Sequence, residues 1–84
     1  RRDWSTQAQT LLEHLAEKDG TDLRRLGERL ALAEPGRNER WTWLARRLVQ
    51  EELIRESDDG VQRLYLRDSG RRFLDDPWPL DYAA

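Results

Sequence analysis

Between residues 38 and 67 the apolar residues change their spacing, and that change limits what the chain can fold into. Steps of 100° per residue from Trp41 bring Leu44, Ala45, Leu48 and Val49 within about 80° of it, one apolar stripe at helical spacing. The segment 38–52 (NERWTWLARRLVQEE) therefore predicts a helix, opened by Asn38 as its cap. Arg40, Trp43, Arg46, Arg47 and Gln50 fall on the opposite side, so Trp41 is assigned to a core and Trp43 to the outward face. Immediately afterwards the period becomes two. Leu53–Ser57 and Val61–Arg67 alternate as strands do, and Asp58-Asp59-Gly60 between them has the composition of a tight hairpin turn. In the second strand Leu64 and Leu66 share one face, and Arg63, Tyr65 and Arg67 share the other. A helix that enters a hairpin without a linker must share its core with it.

The flanking segments supply the rest of that core. Thr6-Gln7-Ala8-Gln9 reads as a capping box opening a helix whose Ala8, Leu11, Leu12 and Leu15 line one face, with Gly20 as the left-handed residue that stops it. Thr21 or Asp22 then caps a second helix with Leu23, Leu26 and Leu30 buried, ending at Glu34-Pro35-Gly36. Gly27 within it costs roughly 1 kcal/mol relative to alanine, which predicts close packing of one helix on another there. After the hairpin, Asp68 or Ser69 opens a short helix carrying Phe73 and Leu74. Two prolines interrupt the last stretch, residues 75–84, which reads as a tail folded back on the domain, docked on a neighbouring one, or serving as a linker.

The predicted class is therefore α+β, mainly α: a winged helix-turn-helix of three helices, a short two-stranded wing and a short C-terminal helix. It spans residues 1–74, followed by the Pro/Trp-containing tail. Eighty-four residues without cysteine have no disulfide or thiolate metal site, and their core is too small for an enzyme with its own buried pocket. No apolar run reaches membrane-spanning length and no signal peptide is visible, so the expected setting is the cytoplasm. The start at Arg1-Arg2, rather than methionine, reads as a piece of a longer protein.

Net charge is −2, against the basic balance of most nucleic-acid binders. The average hides an asymmetry: residues 24–72 hold twelve arginines against nine acids, and both ends are acidic. All but one of the fifteen basic residues is arginine, which suits planar contact to phosphate, and equally suits an organism that habitually uses arginine.

Three stretches carry a family resemblance. Asp3 to Leu15 (DWSTQAQTLLEHL), Trp41 to Ile54 (WTWLARRLVQEELI) and Leu64 to Leu74 (LYLRDSGRRFL) are similar, in order and spacing, to the RQC winged helix of the RecQ helicases. The resemblance covers about half the chain. It implies an accessory domain that contacts duplex or branched DNA in replication, recombination or repair, with helicase motor domains elsewhere in the parent chain. There are departures. The connection from Ala33 to Asn38 is shorter than the family's, and Arg67 stands where a threonine commonly caps the last helix. The four-cysteine zinc module of many members is not in this chain. The tip at Asp58-Asp59-Gly60 is acidic and short, so a strand-parting pin is not expected.

The residues singled out for DNA contact are Arg40, Trp43, Arg46, Arg47 and Gln50 from the third helix, with Arg63 and Tyr65 from the wing. Arginines neutralise phosphates, glutamine reads or supports a base edge, and Trp43 stacks on a base at a duplex end. The competing reading is a solvated face, with Glu39 and Glu51 partly neutralising the arginines and Trp78 covering Trp43. The resemblance to bacterial RecQ relatives also implies a different class of function, a winged helix that docks the acidic, apolar-ended tail of single-stranded-DNA-binding protein, a ligand that a basic surface with aromatic neighbours fits. No catalytic constellation is visible. His14 is the sole histidine and reads as a surface residue. The acid pairs Glu51-Glu52, Asp58-Asp59 and Asp75-Asp76 are sequence neighbours whose side chains diverge. With no Gly-rich phosphate loop, ATP chemistry belongs elsewhere in the parent protein, and no cofactor is expected in this chain.

Overall fold

The computed structural model describes residues 2–33, 41–58 and 60–82. After a short strand β1 (Arg2–Asp3), helix α1 (Ser5–Glu17) buries Gln7, Ala8, Leu11, Leu12 and Leu15. The capping box expected at Thr6–Gln9 is not formed. Burial of the Trp4 ring, 1% exposed, pulls the chain into the helix earlier, and Asp3 Oδ1 accepts the Ser5 amide at 2.9 Å in place of a threonine cap. Thr6 lies inside the first turn, where its carbonyl accepts the Thr10 hydroxyl at 3.2 Å.

The turn after α1 does more than stop a helix. Gly20, at φ +81°, donates its amide to the Leu64 carbonyl at 2.9 Å, and Thr21–Asp22 form a strand, β2. Asp22 also caps helix α2 (Leu23–Ala33), accepting the Arg25 amide at 2.8 Å. Leu23, Leu26 and Leu30 of α2 are buried as their spacing predicts. A Cβ on Gly27 would meet nothing within 4 Å among the described residues, so the close approach expected there is absent. The expected turn at Glu34-Pro35-Gly36, the cap at Asn38 and the contact residue Arg40 all lie outside the described residues.

Helix α3 (Trp41–Gln50) buries Trp41, Leu44, Ala45 and Leu48. It closes with Glu52 in the left-handed region, φ 63°, while the Leu53 amide reaches the Leu48 carbonyl and the Glu52 amide reaches that of Val49, both at 3.0 Å. These two bonds form a Schellman cap, with glutamate where glycine is usual, and both Leu48 and Leu53 are buried. The cap turns the chain directly into the hairpin of β3 (Ile54–Glu56) and β4 (Arg63–Leu66). Their register is Ile54↔Leu66, Arg55↔Tyr65 and Glu56↔Leu64, which sends Ile54, Leu64 and Leu66 inward. Because Ser57 accepts and donates at the hairpin's end, including its amide to the Arg63 carbonyl at 2.9 Å, the connection runs through residues 58–62, longer than the tight turn expected. The expected two-stranded wing is a three-stranded antiparallel sheet in the order β2-β4-β3.

Helix α4 (Asp68–Asp75) presents buried Gly70 and Phe73 to the core. The chain then returns to its beginning. Strand β5 (Asp81–Tyr82) pairs antiparallel with β1, and the Trp4 amide donates to the Leu80 carbonyl at 2.8 Å. Leu80 and Tyr82 are buried. Trp78 instead lies with its ring edge-on to Phe73, centroids 4.8 Å apart, and stays partly exposed. Among the described residues the result is a compact, mainly helical α+β domain of four helices and a three-stranded sheet, with the two ends of the chain joined as a second, two-stranded one. No helix among the described residues is long and apolar enough to cross a membrane.

Candidate nucleic-acid interface

Of the residues that helical spacing assigns to the outward side of α3, Arg46, Arg47 and Gln50 lie on its flank, Trp43 does not stand free there, and Arg40 is outside the described residues. Arg46 and Gln50 are exposed. Arg47 is half-buried, with its guanidinium 4.7 Å from the Tyr82 ring centre, Nη2 3.4 Å from Glu51 Oε1, and Nη1 donating to Gln50 Oε1 at 3.5 Å. The Arg47–Glu51 pair spans one helical turn with both side chains about two-fifths exposed, so it contributes a few tenths of a kcal/mol. Tyr82, which shapes this flank, arrives from the C-terminal tail. Burial pushes its phenol up to about 12, with Glu51 adding to the rise and Arg47 opposing it. It therefore stays neutral near pH 7, and Arg47 meets a π face rather than an anion.

Trp43 is the exception. Its ring is packed against the core, 5.2 Å from Trp4 and 6.2 Å from Tyr82 between centroids, so it is not the exposed stacking surface expected of it. The residue from the tail that covers it is Tyr82, not Trp78. A helical wheel gives direction relative to the helix axis; it does not register that the two chain ends meet over the supposedly outer side.

The hairpin supplies a second surface. Arg63 is exposed on the outer face of the sheet, and Tyr65 beside it is half-buried. The absent side chain of Gly20 leaves room for the Tyr65 ring, since a Cβ there would stand 3.3 Å from Cε1. The Arg55 guanidinium lies 4.6 Å from the Tyr65 ring centre, across the register pair. Arg55 escaped the sequence reading because its partner is defined only once the strand register is known. A groove of about 620 Å³ runs past the end of α3, lined by Arg55, Arg67 and Arg72 against Glu51, Glu52 and Asp68, with Leu66 and Ser69 between. Its formal charges cancel.

His14 is half-buried rather than solvated, and its Nδ1 has no hydrogen-bond partner among the described residues. Among those residues no three His, Asp or Glu side chains converge in a way that could hold a metal ion. No protein-family model matches the chain, and neither curated proteins nor solved structures yield a match to it.

Proposed function

We propose that this chain is a DNA-binding domain of the winged-helix type, akin to the RQC module of RecQ-like helicases. In this reading it holds duplex or branched DNA while ATP hydrolysis takes place elsewhere in the parent protein. The observation that carries it is the exposure of Arg46 on α3 and Arg63 on the hairpin, neither with a carboxylate partner among the described residues. The order helix, strand, helix, helix, hairpin, with the sheet order β2-β4-β3, fits a winged helix in which α3 and the wing approach the same ligand. Arg46 and Arg63 neutralise phosphates, and Gln50, held at its carbonyl by Arg47, offers its amide hydrogens to a groove edge. Trp43 takes no part, because its ring is already packed against Trp4 and Tyr82.

Fluorescence anisotropy on forked and blunt duplexes over a salt series tests the proposal. Arg46→Ala and Arg63→Ala each flatten the salt slope by about 0.9 and weaken binding regardless of sequence. Absence of binding at low salt by the folded wild-type chain sinks the idea. The second reading, docking of an acidic, apolar-ended peptide, is favoured by Arg55, Arg67 and Arg72 beside Leu66 in the groove, though the three carboxylates there weaken it. Peptide binding that DNA does not displace, and that Arg67→Ala abolishes, selects that reading instead.

A further inference from the structure

A cavity of about 290 Å³ opens where the turn after α1, the start of α2 and the incoming end of β4 meet, and no residue of α3 lines it. Lys18, Arg25, Arg29 and Arg63 bring positive charge to its wall, against Asp19 and Asp22. Both carboxylates are already engaged. Asp19 Oδ1 accepts the Leu66 amide at 3.0 Å. Asp22 accepts the Arg25 amide and lies 3.6 Å from its Nε. That leaves Lys18, Arg29 and Arg63 with no carboxylate partner among the described residues.

The wall that carries them is fixed. The Gly20 amide is bonded to the Leu64 carbonyl at 2.9 Å, the Leu23 amide to the Gln62 carbonyl at 2.8 Å, and the Thr21 hydroxyl to the Lys18 carbonyl at 2.6 Å. Three cations from three different elements line one concavity, and with four cationic against two anionic side chains in its wall the cavity stays positive until an anion enters. Cations brought to one cavity by three different elements suit a tetrahedral anion, which takes donors on several sides, better than a planar carboxylate, which one arginine fork satisfies alone.

We infer that this cavity is a phosphate pocket that seats a phosphodiester of the bound nucleic acid, apart from the α3 contact, with Arg63 standing between the two. The inference rests on the DNA-binding reading above and extends its footprint to the opposite edge of the sheet. Lys18 and Arg29 are the residues that belong to the pocket alone.

The test compares the folded wild-type chain, Lys18→Ala/Arg29→Ala and Arg46→Ala/Gln50→Ala in duplex affinity against salt, with thermal melts to match folding. Inorganic phosphate is titrated in parallel while the Gly20 and Thr21 amides are followed by NMR. The pocket variant is expected to bind duplex about tenfold more weakly at moderate salt, with a slope shallower by roughly 2, and to lose the phosphate-induced amide shifts. Wild-type affinity and slope in the pocket variant overturn the inference, and if the shifts occur all the same, the pocket takes free phosphate and not the backbone. Loss of binding only in the α3 variant leaves the DNA-binding reading standing without the pocket. Loss only in the pocket variant retains the pocket and removes α3, and no duplex binding by wild type overturns both.

Discussion

A Cβ on Gly70 would run into the carbonyl oxygen of Leu53 and lie 2.6 Å from Leu66 Cδ1, so α4 meets the start of the hairpin at the level of the backbone. Alanine there forces α4 away from Leu53, at a cost of about 1–3 kcal/mol. Gly27 is the opposite case: with no described residue near its missing side chain, alanine only restricts the unfolded chain and favours the helix, adding about 0.5–1 kcal/mol. Urea midpoints moving in opposite directions for Gly70→Ala and Gly27→Ala check both, and equal shifts contradict the packing described. Tyr82 provides a pH-dependent signature. Its folded pKa, raised to about 12, lies above the ordinary value of 10, so the folded state holds the proton more tightly. The stability it contributes is complete below pH 10 and is lost as pH rises through 12. Tyr82→Phe removes the titrating group. Denaturant midpoints between pH 10 and 12 are therefore expected to fall less steeply in the variant than in the wild type.

The elements differ in how far the sequence betrays them. The stripes of α1, α2 and α3 were legible because each buried leucine sits at helical spacing from the next, and that information is local. The strand β2 was not, because its two residues are defined by amide and carbonyl bonds to β4 some forty positions away. Asp22 was legible as a cap and hidden as a strand residue. The pairing of β1 with β5 was equally hidden, and with it which tail residue covers Trp43: Tyr82, where the sequence offered Trp78. Asp3 links those terminal strands to α1: one carboxylate oxygen accepts the Ser5 amide at 2.9 Å and the Leu80 amide at 3.3 Å. The Ser5 bonds, chiefly, hold its carboxyl below the usual 3.8, with a lesser contribution from Leu80. Its contribution is thus present above pH 3.8 and disappears as pH falls through the lowered value. Asp3→Ala is expected to speed hydrogen exchange at the Ser5 and Leu80 amides at neutral pH. Acidification should lower the wild type's protection factors at these amides to those of the variant, and unchanged protection at Leu80 in the variant contradicts a tie between the ends.

At the scale of the whole molecule the sequence divides at residue 74, and the packing runs across that division. Charge asymmetry was readable as numbers along the chain, whereas the neighbours of each arginine depended on which segments came to lie together. Arg47 spends its charge on Glu51 and Tyr82, and Arg46, one position earlier, remains open to a ligand. The tail supplies the Tyr82 half of that difference, and it contributes to the core too. Leu80 and Tyr82 are each 6% exposed, and burying two such side chains stabilises a domain by roughly 3–6 kcal/mol. Total stability for a chain of this length is about 4–12 kcal/mol. Residues 1–74 alone would therefore lose a large share of their stability, with Trp4 and Trp43 stripped of their cover. A truncation after residue 74 is expected to melt well below the full chain, with tryptophan emission shifted to the red in the native baseline. If the truncated chain keeps the full-length melting temperature and emission, the tail is a linker resting on the surface. Under the packing described, the outward flank of α3 is complete only when both chain ends are in place.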